Sequence, residues 1–223
     1  MELIYSGKTK DVLAAGPAEV LLVFKDDVTG TDAGIDPGAN SVIGQLAGKG
    51  RAALAMSKYF FELLAQEGFP SHYIEADVER GQMRAKKASW LGLEYICRFK
   101  AYGSFIRRYG RLIAEGEPLP ALIEITLKDD ERGDPLLNDE TIVALGLLRA
   151  DQCQRAKELI RGAARLVQRE LKTKGLELID IKFEVGFVAD ELVIIDDISG
   201  DNMRVMKDGV PVDPLELSRI VCS

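Results

Sequence analysis

Apolar and polar residues alternate through "GLELIDIKFEVGFVADELVIIDDISGDNMR", residues 175–204. Strand side chains point to opposite faces in turn, so Ile181, Phe183 and Val185 suit a core while Asp180, Lys182 and Glu184 share the other face. The same period predicts strands earlier in the chain. One precedes a Ser6-Gly7 loop, one runs through Leu13, and one runs from the Gly16-Pro17 turn through Phe24. Further strands are expected in "SHYIEADV", "QMRAKKA", "LEYICRFKA" and "LIEITLK". Helical spacing marks Arg51 to Gln66, with Leu54, Tyr59, Phe61, Leu63 and Leu64 apolar and Gly68 as its cap. A longer helix spans Asp151 to Lys174, Asn138 or Asp139 caps "NDETIVALGLL", and Asp213-Pro214 opens a last short helix. Between Asp27 and Gly50 the chain is rich in glycine and small residues and reads as a long loop, functional or mobile. The pattern is α+β with mostly antiparallel strands, without the βαβ alternation of a dinucleotide-binding fold.

Register sharpens the chemistry of the 175–204 hairpin. A two-residue turn at Ala189-Asp190 would set Asp196 opposite Phe183 and bury its charge among apolar groups. An odd-length loop sets Glu184 opposite Asp196, keeps the apolar face clean, and is the register expected. Facing carboxylates repel unless a cation lies between them, and oxygen-only ligation points to Mg²⁺ sharing its shell with phosphate and water. Lys182 would then reach a phosphate. The plainer alternative is a solvated hairpin face with Lys182 in a salt bridge.

Three more stretches carry charge in ordered patterns. In "YSGKTKDV", a glycine hairpin brings backbone amides and the alternating Lys8 and Lys10 to one anion. In "CRFKAYGSFIRRYG", Arg98 and Lys100 alternate on a strand leading to Gly103-Ser104, where a hydroxyl, a helix start and guanidiniums suit a phosphate monoester. Arg107 and Arg108 add basic charge. In "LKDDERGDPLLND", Lys128, Asp129, Asp130 and Asp134 crowd a loop, with Pro135 holding Asp134 extended. Together these describe two anion sites and a carboxylate-held Mg²⁺, the equipment for ATP-dependent phosphoryl transfer to a phosphorylated substrate.

Composition narrows the choice. The chain has 223 residues, is 47% hydrophobic and carries a net charge of −7. That is ample for a core and argues against general binding to nucleic acid or membranes. Cys97, Cys153 and Cys222 form no metal-type pair, and the single histidine, His72, reads as structural. No signal-peptide core is seen at the N-terminus and no apolar run reaches membrane-spanning length, so a cytoplasmic protein is expected.

In sequence order, "YSGKTKDV", "CRFKAYGSFIRRYG", "LKDDERGDP", "LIDIKFEVG" and "IIDDISGDNMR" resemble the signature segments of the SAICAR synthetase family. The resemblance covers nearly the whole chain. It implies a two-lobed α+β fold, kinase- and ATP-grasp-like, with ATP between a small lobe (residues 1–90) and a larger one (91–223). It also implies joining of carboxylated aminoimidazole ribotide (CAIR) to L-aspartate, with ATP giving ADP and phosphate through an acyl phosphate. By resemblance, Lys8 and Lys10 lie on the ATP phosphates and Glu184 and Asp196 on Mg²⁺. Arg98, Ser104 and Arg204 grip the ribotide phosphate, Asp180 and Lys182 lie near the reacting groups, and Lys128 and Asp134 belong to a loop near nucleotide and substrates. Homo-oligomerisation stays open. The family's Ser-Pro-Asp stands here as Ser199-Gly200-Asp201, its early Asp-Gly as Asp32-Ala33, and its His-Asp-Pro as Gly133-Asp134-Pro135. The chain also ends soon after Arg219, before the family's usual terminal helix. These departures leave two alternatives open: a related ATP-dependent carboxylate–amine ligase with another acceptor, and a nucleotide-binding module without turnover.

Overall fold

A computed structural model describes residues 1–31, 34–37 and 41–223. The chain begins with β1 (Leu3–Ser6), β2 (Lys10–Ala14) and β3 (Glu19–Phe24), followed by β4 (Asp27–Thr31), β5 (Gly34–Ile35) and β6 (Ser41–Gln45). Helix α1 (Lys49–Gln66) leads to β7 (Tyr73–Asp77), β8 (Gln82–Lys86) and the long β9 (Ser89–Lys100). Then come α2 (Ser104–Tyr109), β10 (Pro118–Leu127), β11 (Leu136–Leu137), α3 (Asp139–Ala144) and α4 (Ala150–Thr173). The chain closes with β12 (Glu177–Val188), β13 (Glu191–Ile195), β14 (Met203–Lys207), β15 (Val210–Pro211) and α5 (Pro214–Val221).

The strands form three sheets. One has the order β1-β2-β3-β8-β7, a small one β5-β4-β6, and the largest β11-β10-β9-β12-β14-β15 with β13 also on β12. Pairing within them is antiparallel, as an α+β fold with local connections requires. Strand β12 is the organiser. From Asp180 to Phe187 it pairs with β9, while its other edge is shared by β14 at the start and β13 at the end.

Period two decides which face is core. Leu93, Tyr95 and Cys97 of β9 and Ile181, Phe183 and Val185 of β12 are at most 1% exposed. The cover for this face is α4, which packs on β9, β10 and β12. Its buried stripe of Cys153, Ala156, Ile160, Ala163, Ala164, Val167 and Leu171 is rich in small residues, which lets the helix lie close to the sheet. Each large apolar side chain so buried stabilises by about 1.5–3 kcal/mol before conformational entropy is counted. The remaining face of the sheet, with its charges, is left for the site.

Local chemistry sets the helix ends. Asn138 Oδ1 accepts from Thr141 N at 2.9 Å. Asp213 Oδ1 accepts from Leu215 N at 3.0 Å and Glu216 N at 3.1 Å, with Pro214 in the first turn. One expectation changes: the glycine-rich stretch after Asp27 contains the strands β4, β5 and β6. Every residue of β6 is exposed, so this strand shows no buried face to read, yet its backbone ladder to β4 forms regardless. Asp32-Ala33 lies outside the described residues.

Candidate active site

The polar face of the largest sheet floors a cleft of about 1220 Å³. Residues opposite each other on neighbouring strands share a face, so the pairings can be read as rows. One row runs Leu122–Arg98–Asp180–Arg204 across β10, β9, β12 and β14. The next runs Glu124–Ile96–Lys182, and the third Thr126–Glu94–Glu184–Ile195. The first row is a guanidinium site and the third an ammonium–carboxylate site. They lie four residues apart along β12, roughly 13 Å at the strand rise.

The guanidinium end is closely bonded. Arg98 Nη1 donates to Asp180 Oδ2 at 2.9 Å, its Nη2 to Ser104 Oγ at 2.8 Å, and its Nε to Glu124 Oε2 at 2.5 Å. Arg204 Nη1 donates to Asp180 Oδ2 at 2.9 Å and its Nη2 to Asp36 Oδ1 at 2.7 Å. Gly103 makes room for this. Its φ is +54°, and a Cβ there would lie 3.0 Å from the Arg204 guanidinium carbon. A larger residue would be strained by its backbone and would push against the arginine.

At the other end, lysines from different elements meet carboxylates. Lys128 Nζ lies 2.7 Å from Glu184 Oε1 and 3.5 Å from Glu94 Oε1, and Lys182 Nζ lies 2.7 Å from the same Glu94 oxygen. Thr126 Oγ1 donates to Glu94 Oε2 at 3.1 Å. Lys10 sits 3.1 Å from Asp196 Oδ1 and also donates to Asp197. Burial opposes the charge of Lys10, but Asp196 and Asp197 hold it well above the ordinary lysine value. Burial and the Asp196 charge push Glu184 up. Against burial, Lys10, Lys128 and Lys182 bring Asp196 down to about 2. Burial is the larger cause at Glu184, and Lys128 and Lys182 act against it and against the Asp196 charge.

The register of the 184–196 hairpin differs from expectation. Glu184 pairs with Ile195 and Val188 with Glu191, so the turn is the tight one at Ala189-Asp190. Asp196 avoids the core because β13 ends at Ile195 and Asp196 takes a left-handed φ of 69°, leaving the alternation. The carboxylate directly across the ladder from Glu184 is Glu94, on β9. Asp134 also departs from its extended expectation, with φ at 50°. An asparagine-like local bond explains it: its Oδ1 accepts from Asp129 N at 2.9 Å, and short carboxylates tolerate this region.

The eleven residues to which the resemblance gives site roles all line this one cleft: Lys8, Lys10, Arg98, Ser104, Lys128, Asp134, Asp180, Lys182, Glu184, Asp196 and Arg204. Lys8 sits near the rim, 2.7 Å from Asp130. Lys100 does not join them and pairs with Glu177 at 2.7 Å. His72 is buried and held near a value of about 4, chiefly by burial, and its Nε2 lies 3.0 Å from the Asp196 carbonyl. The carbonyl can only accept, so Nε2 donates and the ring supports the left-handed turn from below. Several partners were not foreseen: Glu94, Glu124, Asp36 and the buried Lys49, which pairs with Asp201. Glu94 is four residues before Arg98 on one strand face, a spacing visible in "LEYICRFKA". The others are long-range partners that no local pattern marks.

A cleft with paired arginines at one end of a sheet face and lysines among carboxylates at the other defines an enzyme class that works by placing charge around phosphate groups. A family model for SAICAR synthetase matches residues 3–211. The phosphoribosylaminoimidazole-succinocarboxamide synthase of Clostridium tetani is 47% identical over 225 residues, covering 99% of each chain. The crystal structure of the enzyme of that name from Ehrlichia chaffeensis superposes with a TM-score of 0.86 at 26% identity, covering 95% of this chain and 89% of that one. A SAICAR synthetase solved in complex with ADP gives a TM-score of 0.85 at 27% identity over 94% of this chain and 87% of its own. The chain belongs to the SAICAR synthetase family. Among the described residues, no helix is long and apolar enough to cross a membrane.

Proposed function

We propose that this chain is an ATP-dependent carbon–nitrogen ligase that joins the carboxylate of CAIR to the amino group of L-aspartate. The observation that carries the reading is the sheet face itself, where the Arg98–Asp180–Arg204 row and the Glu94–Glu184 row share one floor about 13 Å apart. A ribotide laid along β12 with its phosphate on the arginines brings its carboxylate toward the lysines. A relative matched over 99% of both chains favours this over a changed acceptor or a module without turnover.

A carboxylate resists attack by an amine until one of its oxygens can leave. The substrate carboxylate oxygen attacks the γ-phosphorus of ATP, a new oxygen–phosphorus bond forms, and the bond to the β–γ bridging oxygen breaks to release ADP. The aspartate nitrogen then bonds to the acyl carbon. The carbon–oxygen bond to phosphate breaks, and phosphate departs with the amine proton. In this reading Lys8 and Lys10 hold the ATP phosphates, and Lys128 and Lys182 offset charge near the transferring group. Arg98, Ser104 and Arg204 hold the ribotide phosphate. Asp180 orients both arginines, and Asp134 shapes the 128–135 loop. Positioning and charge neutralisation carry the reaction.

Glu184 and Asp196 form a hard oxygen pair fitted to Mg²⁺, which when bound neutralises phosphate charge. Among the described residues no group of three or more carboxylate, histidine or cysteine side chains is arranged for a metal, so phosphate and water would complete its shell. In this reading the five-stranded sheet forms the small lobe (1–90) and the seven-stranded sheet, whose strand β9 begins just before the boundary at Ser89, the large one (91–223), and the protein works in the cytoplasm. The test is ADP and phosphate release from Mg·ATP with CAIR and L-aspartate, omitting each in turn, with the product weighed by mass spectrometry. Release that needs all three, with SAICAR formed, is the expected result. Amide formation only with another carboxylate would replace the acceptor, and ATP binding without turnover would replace the enzyme.

A further inference from the structure

We infer that Arg108 is a further binding residue for the ribotide phosphate and that Glu124 is the positioning residue that sets it there, an inference resting on the assignment of Arg98, Ser104 and Arg204 to that phosphate. Glu124 Oε2 accepts from two guanidiniums at once, Arg98 Nε at 2.5 Å and Arg108 Nη2 at 2.7 Å. The exposures are graded. The Glu124 side chain is 8% exposed and that of Arg98 3%, whereas that of Arg108 is 31% exposed and lines the cleft. Glu124 itself does not line the cleft. It lies behind the arginines and turns their free edges outward.

Charge explains why a third guanidinium is needed. Arg98 and Arg204 bring two positive charges, but Asp180, Glu124 and Asp36, which bond them, bring three negative ones. A phosphate dianion approaching that set meets a net negative cluster. Arg108 brings the sum to zero while leaving unused N–H groups facing the cleft, and a guanidinium presents them in a plane that matches phosphate oxygens. Sequence separation hides the arrangement. Arg108 follows Ser104 by one helical turn on α2, while Glu124 arrives from β10 across the β9 strand.

The test is steady-state kinetics on Arg108→Ala, Glu124→Gln and their double variant, with Arg204→Ala as control and inorganic phosphate as a competitive probe. Each single variant should raise the KM for the ribotide about tenfold, the loss of one charge-assisted contact. The KM for ATP should stay put in both, the thermal midpoint should stay put in Arg108→Ala, and inhibition by phosphate should weaken by the same factor. The double variant should lose less than the product of the two, because Glu124 acts partly through Arg108. Glu124→Asp should recover part of the loss. An unchanged ribotide KM in Arg108→Ala, or equal rises in both KM values, overturns the inference. Should Glu124→Gln fail to fold, Arg108→Ala decides alone, since that side chain is partly exposed. If Arg204→Ala also leaves the ribotide KM unchanged, the phosphate-site assignment falls; if it raises it while Arg108→Ala does not, only this inference falls.

Discussion

The two ends of the cleft are built in opposite ways. At the guanidinium end, Arg98, Asp180 and Arg204 stand on three adjacent strands of one sheet, and each is fixed by the hydrogen-bonded ladder. At the ammonium end, Lys10 comes from the five-stranded sheet, Lys128 from the segment after β10, and Asp196 and Asp197 from the turn after β13. A rigid planar fork on a ladder suits a group that must be held still. Flexible point charges converging from separate elements suit a group whose charge moves during reaction, because they can follow it. The same convergence makes the ammonium end the place where the two large sheets are tied together.

The largest effect that would separate the ends is on turnover. Glu184→Gln keeps the shape and removes the charge that faces Glu94 and Asp196, and it should lower kcat by about 10²–10³-fold. Its ribotide KM should change little, because the arginine row is untouched, and Mg²⁺ activation should need more metal. Steady-state kinetics over a Mg²⁺ titration read all three. A rise in ribotide KM without loss of kcat would mean that the ends are not divided between chemistry and grip.

How much of this contrast was legible in the sequence follows the same division. The sheet floor is built on period two, so "CRFKA" and "LIDIKFEVG" place Arg98 and Asp180 of the guanidinium end, and Lys182 and Glu184 of the other, on one polar face. The ammonium end depends on a broken strand. Asp196 rejoins the polar face only through a left-handed residue, and an alternation rule cannot anticipate the break. Its expected place opposite Glu184 on the hairpin is taken by Ile195, and the carboxylate that faces Glu184 is Glu94, on β9 and far away in sequence. The small sheet of β4, β5 and β6 was hidden for another reason: β6 has no buried face, so hydrophobicity carries no signal there. Glu124, Asp36 and Lys49 were missed because their partners are set by tertiary packing alone.

A smaller effect, on stability, tests the tying role. The Lys49 side chain is 1% exposed and its partner Asp201 11%. Lys49 opens α1, and the amides of the capping Gly48 and of Gly50 bond Asp26 at 3.1 and 2.9 Å, while Asp201 lies in the turn that carries Asp196 and Asp197. Lys49→Met leaves a carboxylate buried without its cation and should destabilise by about 3–5 kcal/mol. Adding Asp201→Leu should restore much of that, since the unpaired charge goes with it. Denaturant unfolding of the single and double variants checks this. A single variant as stable as the parent would show that Lys49 and Asp201 do not hold these elements together.

The smallest effect probes the fork against the point charge. Arg204 contacts Asp180 through Nη1 and Asp36 through Nη2, so its two bonds diverge from one planar group. Burial opposes its charge, and Asp180 and Asp36 restore it, which holds the guanidinium above its ordinary value. Lysine in that place keeps the charge but offers one nitrogen, which cannot reach both carboxylates and still face a phosphate. Arg204→Lys should therefore raise the ribotide KM about tenfold, close to the effect of Arg204→Ala, with kcat changed less. If Arg204→Lys instead behaves like the parent, charge alone suffices at this end, and the contrast with the lysine end reduces to which elements supply the charges.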